Sequence, residues 1–173
     1  MSAPRKQQVH ELLVLRATAK LLIPFILLFA LYVQFHGDFG PGGGFQAGVI
    51  FAAGLILYGL VWGPEALKRV VPPRVVEALV ASGLLLYGGV GIFSLGRRKN
   101  FLDYAALDPQ HPQHGQHLGI LLVELGVGVT VCCVMLAIYF AFADRALYHA
   151  AYHPTASAVP AQSPFDQPRE SKR

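Results

Sequence analysis

Four long apolar runs separated by short polar stretches organise this chain: Ala17 to Phe35, Phe45 to Trp62, Val75 to Leu95 and Leu118 to Phe142. At about 1.5 Å of rise per residue, the shortest of them covers about 27 Å, close to the roughly 30 Å hydrocarbon core of a bilayer, and the longer ones can cross it tilted. The pattern predicts an all-α integral membrane protein with four transmembrane helices. It also divides the chain into an N-terminal tail (residues 1–16), a transmembrane domain (17–142) and a C-terminal tail (143–173). That last tail has Pro154, Pro160, Pro164 and Pro168 among Ser, Ala and Gln, a composition that builds no core and reads as disordered.

Composition strengthens this reading. Apolar residues make up 54% of the 173 and charged residues 14%, against about 25% charged in an ordinary soluble domain. Charge runs through the first 20 residues and no small-residue cleavage site ends the first apolar run, so that run is expected to remain as a helix. Cys132 and Cys133 are adjacent within the fourth run and read as apolar filler.

The placement of Lys and Arg sets an expected orientation. Eleven of the fourteen fall in the two tails, the ends of the adjoining helices and the second loop, and the other three, Arg97, Arg98 and Lys99, in the third loop. The bias puts both termini in the cytoplasm and the loop between the first two helices outside.

That first loop, His36 to Gly48, has six glycines, Pro41, and in Asp38 the only charge between Lys20 and Glu65. Glycine lets the backbone turn tightly and lie close against a neighbour, so the stretch reads as a hinge for docking the second helix. Gly44, Gly48 and Ala52 continue it as a small-residue stripe, the surface on which membrane helices approach closely. No Lys-Ser or Lys-Thr follows the glycines, so they do not form a P-loop.

Ionisable residues inside the runs are the candidate chemistry. Glu124 lies about 10 Å into an otherwise apolar helix. A carboxylate there costs on the order of 2.5–3.5 kcal/mol on insertion scales, so it is expected to face the bundle interior or a partner. It reads either as a neutral acid hydrogen-bonded to a neighbouring helix or as a carboxylate on a proton or cation path. Lys20 can snorkel to the headgroups or pair with Glu77. Glu77 suits the positive end of a helix dipole or the mouth of a proton path. In the third loop Asp108, His111, His114 and His117 have spacings that bring zinc or copper to mind, but Pro112 and Gly115 argue against a helix aligning them, and a solvated loop is the preferred reading. No nucleophile and base pair, cofactor fingerprint or metal set stands out, so neither an enzyme nor a cofactor is expected, and nothing points to nucleic acid.

Pro41-Gly42-Gly43-Gly44-Phe45-Gln46-Ala47-Gly48 resembles the Pro-Gly-Gly-Gly-Phe-x-x-Gly signature of the MrpB family, also called MnhB, and Glu124-Leu125-Gly126-Val127 is similar to that family's Glu-x-Gly-Val. The likeness covers roughly Leu15 to Phe142. It departs at one place: Asp38 stands where members often carry histidine, with His36 just upstream, which leaves two readings, that either residue takes that role or that the position only shapes the loop. The resemblance implies a bacterial inner-membrane subunit of a multi-subunit antiporter exchanging Na⁺, or another monovalent cation, for H⁺ with partner subunits. Its ion-path candidates are Glu124, Glu77, Lys20, Asp38 and His36. The alternatives are the ion-translocating module of a membrane-bound hydrogenase or related respiratory complex, and a purely structural assembly subunit.

Overall fold

The computed structural model describes residues 3–37 and 43–152, with side chains described over 13–37 and 43–149. Five helices and one short 3-10 turn make up the described chain: α1 (Ala3–Phe35), α2 (Gly44–Trp62), α3 (Pro64–Val70), α4 (Pro73–Gly96), the turn Tyr104–Ala106, and α5 (Pro112–Tyr152). No strand occurs among the described residues. Four helices hold stretches long and apolar enough to cross a membrane: Leu13–Phe35, Gly44–Trp62, Pro73–Gly96 and Pro112–His149. The protein is therefore a multi-pass helical membrane protein.

Each helix has an identifiable local cause. α1 continues through Pro24, as membrane helices can when neighbouring groups satisfy the freed carbonyl. α2 is preceded by Gly43 as its cap residue, whose φ of 87° and ψ of −174° lie in a region almost exclusive to glycine. It ends at Gly63, φ 95°, and the chain turns at once into α3, with Pro64 in the first turn, where its missing N–H costs nothing. Lys68 Nζ donates to Glu65 Oε1 at 3.1 Å across one turn of α3. Sequence reading gave this stretch only as a polar connection.

The chain divides into two compact units, Met1–Phe140 and Ala141–Arg173. In the first, the core is Ala52 of α2, Leu67 of α3, Val76 of α4 and Cys132, Cys133, Leu136 and Phe140 of α5. Both cysteines are free and buried, serving there as small apolar side chains. Leu67 is fully covered, so α3 is anchored from below the surface and is not a loose linker. In the second, helix α5 continues to Tyr152. From 153 onward, the tail expected to be disordered lies outside the described residues.

Glycines set how near the helices approach. A Cβ on Gly54 would meet Leu27 Cδ2 at 3.0 Å and Ile26 Cγ2 at 3.2 Å, which brings α2 onto α1. On α4, a Cβ at Gly83 would meet the Thr130 hydroxyl and, at 2.7 Å, the carbonyl oxygen of Gly126, and one at Gly91 would enter the Phe101 ring. Gly88 and Gly89 of the same helix face open space, so only part of its glycine content serves packing within the chain. Much of the remaining surface is apolar: Leu21, Phe25, Leu28 and Phe29 of α1 and Leu84, Leu85 and Ile92 of α4 are exposed, a pattern that suits contact with lipid tails or other membrane helices.

Candidate functional site

The site forms where α1 ends, α2 begins and α5 passes beside them. Glu124 is half-buried on α5. Its carboxylate lies in the space left by two glycines that carry no side chain: a Cβ on Gly43 would meet Glu124 Oε1 at 2.8 Å, and one on Gly37 would meet the same oxygen at 2.9 Å and press on Oε2. The Gly37 Cβ would also lie 2.9 Å from the Cα of Gly43. The chain thus leaves at Gly37 and returns at Gly43 almost to the same point, with the carboxylate of Glu124 against both ends of the loop.

Gly44 carries the closest approach of α2 to α5. A Cβ there would collide with the backbone carbonyl oxygen of Glu124 and lie 2.7 Å from its carbonyl carbon. One turn further along both helices, a Cβ on Gly48 would meet the carbonyl oxygen of Gly128 at 2.5 Å and its Cα at 3.1 Å. The small-residue stripe of α2 therefore docks on α5, with main chain against main chain at the position of the acid.

Gln34 is the polar residue that sequence reading passed over. Its Oε1 lies against Gly128, one helical turn beyond Glu124, where a Cβ would meet it at 2.6 Å and the carbonyl oxygen of Gly44 at 3.1 Å. The side chain is only 6% exposed, and among the described residues its Nε2 has no acceptor. The signal was present: between Lys20 and His36, Gln34 is the one amide in a run otherwise apolar or aromatic, and burying such a group in a bilayer is costly.

Lys20 and Glu77 are both exposed on their helices, and among the described residues no ion pair joins them. His36 is exposed and stacks on Tyr32, with ring centroids 5.0 Å apart. Phe45 is 65% exposed and turns away from the docking face. Asp38, Pro41 and Gly42 lie outside the described residues.

The third loop shows a correction to the sequence reading. Pro112 does not interrupt a helix but opens α5, the position where proline is best tolerated, so His114 and His117 stand on its first turns. Asp108 Oδ1 accepts from the backbone N–H groups of Gln110 and His111, both at 3.1 Å, and so shapes the approach to the helix. Among the described residues no three His, Cys, Asp or Glu side chains are grouped so as to hold a metal ion. The loop is pinned by Tyr104, whose ring fills the space over Gly119. Burial, with a smaller contribution from Tyr87, pushes the Tyr104 phenol above its usual value.

Residues 14–137 match the family described as a domain related to the MnhB subunit of Na⁺/H⁺ antiporter. The chain is 34% identical over 127 residues to antiporter subunit mnhB2 of Staphylococcus aureus (strain Newman), a match covering 68% of this chain and 89% of the relative. It is 30% identical, with the same coverage, to antiporter subunit mnhB2 of Staphylococcus haemolyticus (strain JCSC1435). With more than half of its length matched to that family, and with four apolar helices of membrane-crossing length, the chain belongs to the MnhB family of Na⁺/H⁺ antiporter subunits.

Proposed function

We propose that this chain is a subunit of a multi-subunit monovalent cation/proton antiporter in a bacterial inner membrane, and that Glu124 is its titrating group on an ion path shared with companion subunits. One observation carries the reading. Among the described residues, Glu124 is the one acidic or basic side chain within the membrane-length helices that is not exposed. It is held against the backbone at Gly37 and Gly43, the two ends of the glycine-rich stretch that separates α1 from α2. A complete path through one subunit calls for several such groups. Companion subunits supply the remainder in this scheme, and Na⁺ is the cation that the relatives' family name suggests. The positive-inside bias gives both termini to the cytoplasm.

The test is antiport in inverted vesicles containing the assembled complex, with Glu124 replaced by Gln or Asp. Glu124→Gln preserves shape and hydrogen bonding but cannot titrate, and is expected to abolish exchange. Glu124→Asp keeps the charge and is expected to retain part of it. Undiminished exchange in Glu124→Gln, with assembly intact, would leave the chain a packing subunit and overturn the reading.

A further inference from the structure

α4 ends on a turn that carries three consecutive cations, Arg97, Arg98 and Lys99, all of them exposed. The chain reverses there through backbone bonds to the last turn of the helix: the Arg98 N–H donates to the carbonyl of Leu95 at 2.9 Å and the Lys99 N–H to that of Ser94 at 3.1 Å. Arg98 adopts a φ of 58° to do so, the left-handed conformation that closes many helices and that glycine fills at least cost. An arginine held in such a conformation is strained, and strain of this kind gathers where a side chain has work to do.

The turn is fixed to the helix. Ser94 is fully buried, with Oγ 3.0 Å from the carbonyl oxygen of Val90 and 3.1 Å from that of Asp103, and the Phe101 ring fills the space over Gly91. The acids of the same loop are committed to its backbone: Asp103 Oδ1 accepts from the N–H of Ala105 at 3.2 Å, and Asp108 Oδ1 from those of Gln110 and His111. Among the described residues no ion pair reaches Arg97, Arg98 or Lys99. Arg97 instead turns back along the helix, its guanidinium carbon 5.4 Å from the centre of the Phe93 ring. That ring is 44% exposed, so this cation stands at the edge of an open apolar flank. Along the flank Leu85, Gly88, Gly89 and Ile92 share one face of the helix by their spacing. Leu85 and Ile92 are exposed, and a Cβ on either glycine between them would meet nothing within 4 Å, which leaves a shallow depression below the basic turn.

The end of α4 therefore presents three cations without a counter-charge directly above bare apolar surface. A companion helix would cover the flank without bringing negative charge to the turn, and a dissolved anion would meet the cations and leave the flank uncovered. An anionic phospholipid carries a phosphate and hydrocarbon chains in one molecule, and its phosphate already lies at the depth where a membrane helix ends. We propose that this turn binds the headgroup of an anionic phospholipid, with the phosphate held by Arg97, Arg98 and Lys99 and an acyl chain lying along α4 over Gly88 and Gly89. Arginine suits the role because its planar fork matches two phosphate oxygens at once. The inference requires only that the chain lie in a membrane and is independent of its antiport role.

Fluorescence quenching by brominated lipid tests it. The chain has one tryptophan, Trp62. The full-length protein with Trp62→Phe and Ile92→Trp is reconstituted in phosphatidylcholine bilayers in which part of the lipid is replaced by phosphatidylglycerol, or by phosphatidylcholine, with brominated acyl chains. The apparent affinity at Ile92→Trp is expected to be about fivefold higher for phosphatidylglycerol, the ratio that a single basic side chain near an anionic surface contributes. With Trp62→Phe and Leu28→Trp, which puts the reporter on the exposed face of α1 instead, the two lipids are expected to quench equally. Replacing the three cations together, Arg97→Gln, Arg98→Gln and Lys99→Gln, is expected to bring the ratio at Ile92→Trp close to one. The comparison of the two lipids, and of the two reporter positions, decides the matter if that triple variant does not fold. Equal quenching at Ile92→Trp would overturn the proposal and leave the turn to an acidic segment of a companion subunit. The same preference at Leu28→Trp, or a preference that survives the triple replacement, would overturn it as well, since the selection would then not come from this turn.

Discussion

Replacing Gly44 with alanine tests whether main-chain contact positions the acid. The added methyl would collide with the carbonyl oxygen of Glu124 and stand 2.7 Å from its carbonyl carbon, against 3.4 Å for an ordinary contact, so the two helices must part by more than the roughly 0.7 Å that the carbon alone requires. Nothing can rotate aside, because the obstructing atoms are backbone. Overpacking of this kind typically costs 1–3 kcal/mol, and the better helix propensity of alanine returns about 1 kcal/mol at most. The internal control is Gly89→Ala on α4, where a Cβ meets nothing within 4 Å and only the propensity gain of roughly 0.5–1 kcal/mol applies. At about 2–4 °C per kcal/mol for a chain of this size, Gly44→Ala is expected to unfold several degrees below the parent and Gly89→Ala slightly above it. Thermal unfolding of the purified full chain in one detergent, followed by circular dichroism, gives the comparison. Gly44→Ala unfolding at or above the temperature of Gly89→Ala would refute the docking argument.

Three further outcomes are expected. Gly43→Ala should destabilise through two separable causes, the φ of 87° and the contact with Glu124 Oε1 at 2.8 Å. Combining it with Glu124→Ala should relieve only the second, so a double-mutant cycle should give a favourable interaction energy on the order of 1 kcal/mol, and strict additivity would show that the carboxylate is elsewhere. The raised phenol of Tyr104 keeps its proton in the folded state at pH values where the unfolded chain has lost it, so its contribution is complete below about pH 10 and declines as pH rises further. Tyr104→Phe should flatten that alkaline decline, and an unchanged slope would count against burial of the ring. A reporter fused after Pro109 should read as external, and a cytoplasmic signal would reverse the proposed orientation.

The membrane helices were legible because apolarity over bilayer length is a property of sequence alone. Their full lengths were not: α1 begins at Ala3 and α5 continues to Tyr152, since charged and polar residues end an apolar run without ending a helix. The seven residues of α3 are too few for a periodic pattern to show. Proline before the histidines was ambiguous in the same way, because Pro112 as a breaker and Pro112 as a first helical residue look identical until the next turn is seen. Glu124 stood out as a costly group in an apolar run. What receives it did not, because the spacing of Gly37 and Gly43 says that the backbone can approach something without saying what. Gln34 was missed for a different reason: an uncharged amide raises less alarm than a charge, and its burial depends on the close approach of Gly128 from another helix.

The docking of Gly44 onto the carbonyl of Glu124 has a consequence for how the family's sequences can vary. A side chain held by other side chains moves whenever one of them is exchanged for a larger or smaller neighbour. Here the position of the acid relative to the loop is gauged by peptide groups, which every residue shares. The leucines, valines and cysteines around the junction can therefore be exchanged for other apolar residues, altering stability and lipid contacts, while the carboxylate keeps its station against the ends of the glycine loop.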